Sequence, residues 1–67
     1  MSELEPEVRM GNDIARQFAH LPREQAVVAI AAHIGRFWEP RMRAELQRLS
    51  QAGKLDDPLL AAAAETI

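Results

Sequence analysis

Prolines stand at positions 6, 22, 40 and 58, and they divide the 67 residues into stretches that each begin with a residue suited to one place in a helix. A proline ring holds φ near its helical value and lacks the N–H that a first turn leaves unpaired anyway. Proline therefore opens helices and breaks their interiors. Between the prolines the chain is rich in Ala, Leu, Glu and Arg and poor in β-branched and aromatic residues, which favours helix over strand. The pattern predicts helices near 6–19, 22–38, 40–52 and 58–65, after a disordered N-terminus at 1–5. The expected fold is all-α: a small bundle of three helices plus a short C-terminal helix, with a proline break between helices 2 and 3. It forms a single small helical domain, 1–67.

Apolar spacing assigns faces to these helices. In the first, Met10, Ile14, Phe18 and Leu21 form a stripe, while Gly11-Asn12-Asp13 weakens the middle, so that a variant of this helix starts at Asn12. In the second, Val27, Ile30, Ala31, Ile34, Phe37 and Trp38 define an arc that Val28, Ala29 and Ala32 extend around most of the cylinder. A helix apolar nearly all round is one that neighbours surround, which makes this the expected central helix. The third carries Met42, Leu46 and Leu49 and closes at Gly53, a residue suited to a left-handed cap. Asp57 is placed to cap a last helix of Pro58, Leu59-Leu60 and Ala61–Ala64, whose short length requires packing or a partner to persist.

So small a chain buries only roughly 60% of the surface that its unfolded form exposes, so apolar burial and lost chain entropy nearly cancel. No cysteine is present to form a disulfide or a thiolate metal site, and two isolated histidines make no ligand set. Close helix packing or association with another surface must supply the difference. The net charge is −2, although seven of the eight basic residues are Arg. A nucleic-acid binder normally carries a positive excess, whereas Arg without that excess suits protein interfaces, where it pairs bidentately and stacks on aromatics. The start lacks a basic and apolar leader pattern and no apolar run reaches bilayer length, so a cytoplasmic location is expected.

The residues that point to function cluster at the Pro40 break: Arg36, Phe37, Trp38, Arg41, Met42 and Arg43. Trp, Arg and Phe carry much of the energy of protein–protein contacts because they offer large or directional surfaces at low ordering cost, and these six are the expected partner-binding residues. Phe37 is expected in the core on burial tendency. For Trp38, at a helix end with an indole N–H to satisfy, core and interface are compatible. Arg41, Glu45 and Arg48 are spaced as a solvated charge ladder. Arg36 and Arg43 have no acid in register and are candidates to reach a partner's carboxylates or backbone carbonyls. His33 and His20 read as packing or capping residues. No hydroxyl has a base at helical spacing and the glycines are scattered, so no catalytic, cofactor-binding or metal-ligating residue is assigned and the chain is not expected to be an enzyme. Two other readings stay open: a small DNA-binding or regulatory protein using the break as a helix-turn-helix corner, and a bundle that self-associates as a homodimer when isolated.

The strings Val8-Arg9-Met10, Ile14-Ala15 with Phe18, Glu24-Gln25-Ala26-Val27, His33-Ile34 and Arg36-Phe37-Trp38-Glu39-Pro40-Arg41-Met42-Arg43, then Ala52-Gly53 and Asp57-Pro58-Leu59 before an alanine-rich end, resemble the delta subunit of soluble NAD-dependent, molybdenum-containing formate dehydrogenases. Gly11 stands where that family tends to have a helix former, and the loop around Lys54-Leu55-Asp56 differs from the family's usual run. The resemblance implies an accessory subunit without redox centres. It implies a partner, the formate dehydrogenase alpha subunit, in which formate is oxidised, and a role in that subunit's assembly or stability. The molybdenum cofactor, iron–sulfur clusters, FMN and NAD would lie in partner subunits, with none in this chain.

Overall fold

Three of the four prolines occupy the first turn of a helix, and the fourth stands one residue outside. In the computed structural model, which describes residues 5–67, α1 runs Pro6–Phe18, α2 Arg23–Phe37, α3 Pro40–Gln51 and α4 Pro58–Ala64. Pro22 is the N-cap residue of α2, with its backbone still extended at ψ 146, so that helix starts one residue later than its proline predicts. The four helices stand as an all-α bundle, with no strand among the described residues. The expected disorder at 1–5 falls, for residues 1–4, outside the described residues. Glu5 belongs to the start of α1, its carbonyl accepting hydrogen bonds from the Val8 and Arg9 amides at 2.9 and 3.0 Å.

The helix ends follow local chemistry. Asp57 accepts from the Leu59 and Leu60 amides at 2.9 and 3.2 Å, pairing two donors that the first turn of α4 would otherwise leave open. After α3, Gly53 takes φ +72. The Lys54 amide then returns to the Leu49 carbonyl at 2.9 Å and the Gly53 amide to that of Ser50 at 3.0 Å. This double return is the Schellman arrangement, and the positive φ at its turn is free of strain only for glycine.

The hub of the bundle is α4, not α2. The short alanine helix contacts all three others, and Leu60, Ala63 and Ala64 are fully buried. Alanine makes this possible, because neighbouring helices approach a surface without long side chains closely. The core joins Ile14 and Ala15 of α1, Ile30 and Ile34 of α2, Trp38, and Leu46 of α3 around these α4 residues. On α2 only Ala26, Ile30 and Ile34 are buried, while Val28 is 68% exposed. The expectation of a surrounded α2 therefore fails: α4 and α1 cover one side and α3 scarcely touches it.

The buried face of α1 is also rotated from the expected stripe. Val8, Gly11, Ile14 and Ala15 point inward, whereas Met10 is 43% exposed and Phe18 and Leu21 are half-buried. Gly11 turns α1 in this way. A Cβ on it would stand 2.8 and 2.9 Å from the two methyl carbons of Leu60, so the absent side chain is what lets α4 lie against α1. Gly11 interrupts neither the helix nor its start, and the shorter variant from Asn12 is not adopted. No helix of the described residues is long and apolar enough to cross a membrane.

Candidate functional site

The corner between α2 and α3 is built by Pro40, whose ring forbids the preceding residue a helical conformation. Trp38 and Glu39 are both extended, at ψ 142 and ψ 154, so the break takes in two residues. Leaving helical geometry at Trp38 redirects its side chain. The indole turns into the core and is 5% exposed, while Phe37, the last helical residue, is 66% exposed. The expectation of a core Phe37 is thus reversed. A wheel that steps evenly through both residues places them wrongly, because the chain stops being a helix between them.

Arg43, one turn into α3, reaches back across the corner. Its Nη1 donates to the Trp38 carbonyl at 2.7 Å and to the Gly35 carbonyl at 3.3 Å. These belong to the last turn of α2, where carbonyls lack intrahelical partners and a positive charge is favoured. The carbonyls that Arg43 is suited to find are therefore supplied by its own chain. Arg36 lies on the outer side, its guanidinium carbon 5.5 Å from the Phe37 ring centroid, within cation–π range. His33 sits on the same side of α2, with its ring 4.8 Å from Phe37 and 6.4 Å from Phe18. The outcome is a row of flat groups ending in an exposed ring and a cation.

Beside this row lies an open groove of about 520 Å³ between α1 and the corner. Met10 and Ile14 of α1, His33 and Phe37 of α2 and Met42 of α3 line it, together with Trp38 and the acidic residues Asp13 and Glu39. Sequence periodicity did not mark Met10 as part of this surface, and only the packing of α1 on α4 brings it there. Of the six residues that the sequence singles out, Arg36, Phe37 and Arg41 are exposed and Met42 is half-buried. Trp38 and Arg43 instead hold the corner together.

The expected charge ladder closes on one side only. Arg48 donates through Nε and Nη2 to the two Glu45 carboxylate oxygens at 2.9 and 2.6 Å. This hydrogen bonding holds the Glu45 carboxyl below the usual carboxylate range and raises the Arg48 guanidinium. With Arg43 on backbone carbonyls and Arg48 paired, Arg36 and Arg41 are the cations of the corner region that stand on the surface without such a partner among the described residues.

The chain carries no cysteine and so offers no thiolate to an iron–sulfur cluster. Among the described residues no group of three or more His, Asp or Glu is placed to hold a metal ion.

No curated protein and no solved structure gives a significant match to the chain. The family model described as NADH-dependent formate dehydrogenase delta subunit FdsD matches residues 8–66, a span that takes in all of the core just described. With the aromatic-arginine corner at its centre, this chain belongs to the family of formate dehydrogenase delta subunits.

Proposed function

We propose that this chain is a non-catalytic accessory subunit that docks on the molybdenum-containing alpha subunit of a cytoplasmic formate dehydrogenase and supports that subunit's assembly or stability. A delta subunit is by its family one part of a multi-subunit enzyme. The observation that carries the reading is Phe37. It is a large ring, mostly exposed, in a chain whose other two large aromatics are half-buried (Phe18) and buried (Trp38). It stands beside the Met10–Met42 groove with Arg36 over its face. Aromatic and arginine side chains around methionine are the groups that anchor protein contacts. Their exposure costs a free chain solvation of apolar area that a partner's surface would relieve. The docking residues are Arg36, Phe37, Arg41 and Met42, with Met10 added. Trp38 and Arg43 act from beneath by fixing the corner. The redox centres, FMN and NAD sites belong to the partner subunits.

The test is co-purification of the tagged chain from its own soluble extract, followed by mass spectrometry and molybdenum analysis of what it carries. The wild type is expected to recover a large molybdoprotein. Phe37→Ala and Arg36→Ala should each lose about 2 kcal/mol of binding, near thirtyfold in affinity, with unchanged helical circular dichroism. Full recovery by the double variant would show that docking occurs elsewhere.

A further inference from the structure

We propose, resting on the docking reading above, that the groove between α1 and the α2–α3 corner receives a basic amphipathic segment of the partner: an apolar side chain seated between Met10 and Met42, with a lysine or arginine beside it over Glu39.

The charged groups that line the groove are both carboxylates, Asp13 and Glu39. Asp13 is already paired with Arg16, one turn along α1. Glu39 is not: it has no cationic partner among the described residues. Although it is the N-cap residue of α3, its side chain makes no capping hydrogen bond. Its backbone serves α3, the carbonyl accepting from the Arg43 amide at 3.1 Å, so its carboxylate is left uncommitted at the edge of an apolar surface. Arg36 sits over the Phe37 ring but is not among the groove's lining residues. An occupant bearing a carboxylate would meet Glu39 across a water-poor contact and be repelled, whereas an ammonium or guanidinium would be drawn to it. The two thioether side chains are unbranched and adaptable, which suits an aliphatic stem running past them. The long stem of Lys or Arg fits both parts of the site, its methylenes along the methionines and its charge at the carboxylate.

The experiment uses the complex recovered from the native extract and compares wild type, Glu39→Gln, Glu39→Lys and Phe37→Ala. Charge reversal at Glu39 is expected to lower affinity by about tenfold or more, with the neutral variant between it and wild type. Raising the salt should weaken wild type more than Glu39→Gln, since only the former keeps the ion pair. Melting curves of the free chains check that folding is intact, and the salt comparison on Glu39→Gln stands alone should Glu39→Lys fold poorly. If Phe37→Ala loses the partner while both Glu39 variants bind like wild type, the groove docks something uncharged or acidic. This inference then fails and the docking reading survives. If none of the variants changes binding, both fall.

Discussion

Gly11 and Leu60 meet at a separation that leaves no room for a methyl group. A Cβ on Gly11 would lie 2.8 Å from one Leu60 methyl and 2.9 Å from the other. Leu60 itself is fully buried, so its side chain could make way only by repacking within the core. Alanine at an ordinary helix interior is favoured over glycine by about 1 kcal/mol, but overpacking a fixed core costs about 1–3 kcal/mol. Gly11→Ala is therefore expected to lower stability in chemical denaturation. In a Leu60→Ala background, where the space is vacated, the same change should raise it. A stabilising Gly11→Ala in the wild-type chain would mean that α4 yields easily and is not the hub.

Trp38 and Phe37 should separate stability from binding. Truncating the buried indole removes contacts from a closed core, and Trp38→Ala is expected to cost about 3–5 kcal/mol. Phe37→Ala removes a ring that is mostly in water and should move stability by about 0.5 kcal/mol at most. Denaturant midpoints of the two variants check the contrast. Equal destabilisation would place Phe37 back in the core.

Because α4 holds the other helices together, its start matters more than its length suggests. Asp57→Ala removes the acceptor for two amides and should cost about 1 kcal/mol. Gly53→Ala forces a Cβ into φ +72, at a cost of about 1–2 kcal/mol. Hydrogen exchange would show both losses spreading into α1 and α2, since α4 packs on each. Exchange confined to the 52–64 stretch would show that α4 opens alone.

Arg43 ties α3 to the last turn of α2 through two carbonyls. Arg43→Met keeps much of the stem and removes the donors. It should cost about 1–2 kcal/mol and speed amide exchange at the Trp38–Pro40 corner. An unchanged corner would assign its geometry to Pro40 alone.

Acid should weaken the fold in part through Glu45. Its folded carboxyl titrates below the ordinary value of 4.5 because Arg48 hydrogen-bonds the charged form. A depressed carboxyl stabilises the folded state at pH above its unfolded value, and the contribution is lost as pH falls through the folded one. Melting temperatures of wild type and Glu45→Gln should therefore differ at neutral pH and converge as the pH falls through the lowered folded value. The difference should be small and shrink with salt, since the pair is on the surface. Curves that stay parallel through the acid range would remove Glu45 from the account.

Much of the fold was legible in the residues. The starts at Pro6, Pro40 and Pro58, the stop at Gly53 and the cap at Asp57 rest on backbone chemistry that acts within a few residues, so they need no knowledge of the rest of the chain. The stripe of α3 was legible too, with Leu46 and Leu49 fully buried, because that helix is apolar on one side only. The candidate site was legible as a place but not as an arrangement. Its string of residues carries the family, yet which ring faces out depends on where helical geometry ends.

Proline positions, capping residues and apolar periodicity determined four helices, since each of those signals is local, and the strings around Arg36–Arg43 carried the resemblance to the family. Only the tertiary structure decided that a seven-residue alanine helix would be the centre. It alone set Gly11 facing inward, Trp38 turned in and Phe37 turned out. Those outcomes depend on which surfaces fit closest once all four helices compete for the same interior, and close packing between elements distant in the chain leaves no periodic trace along it.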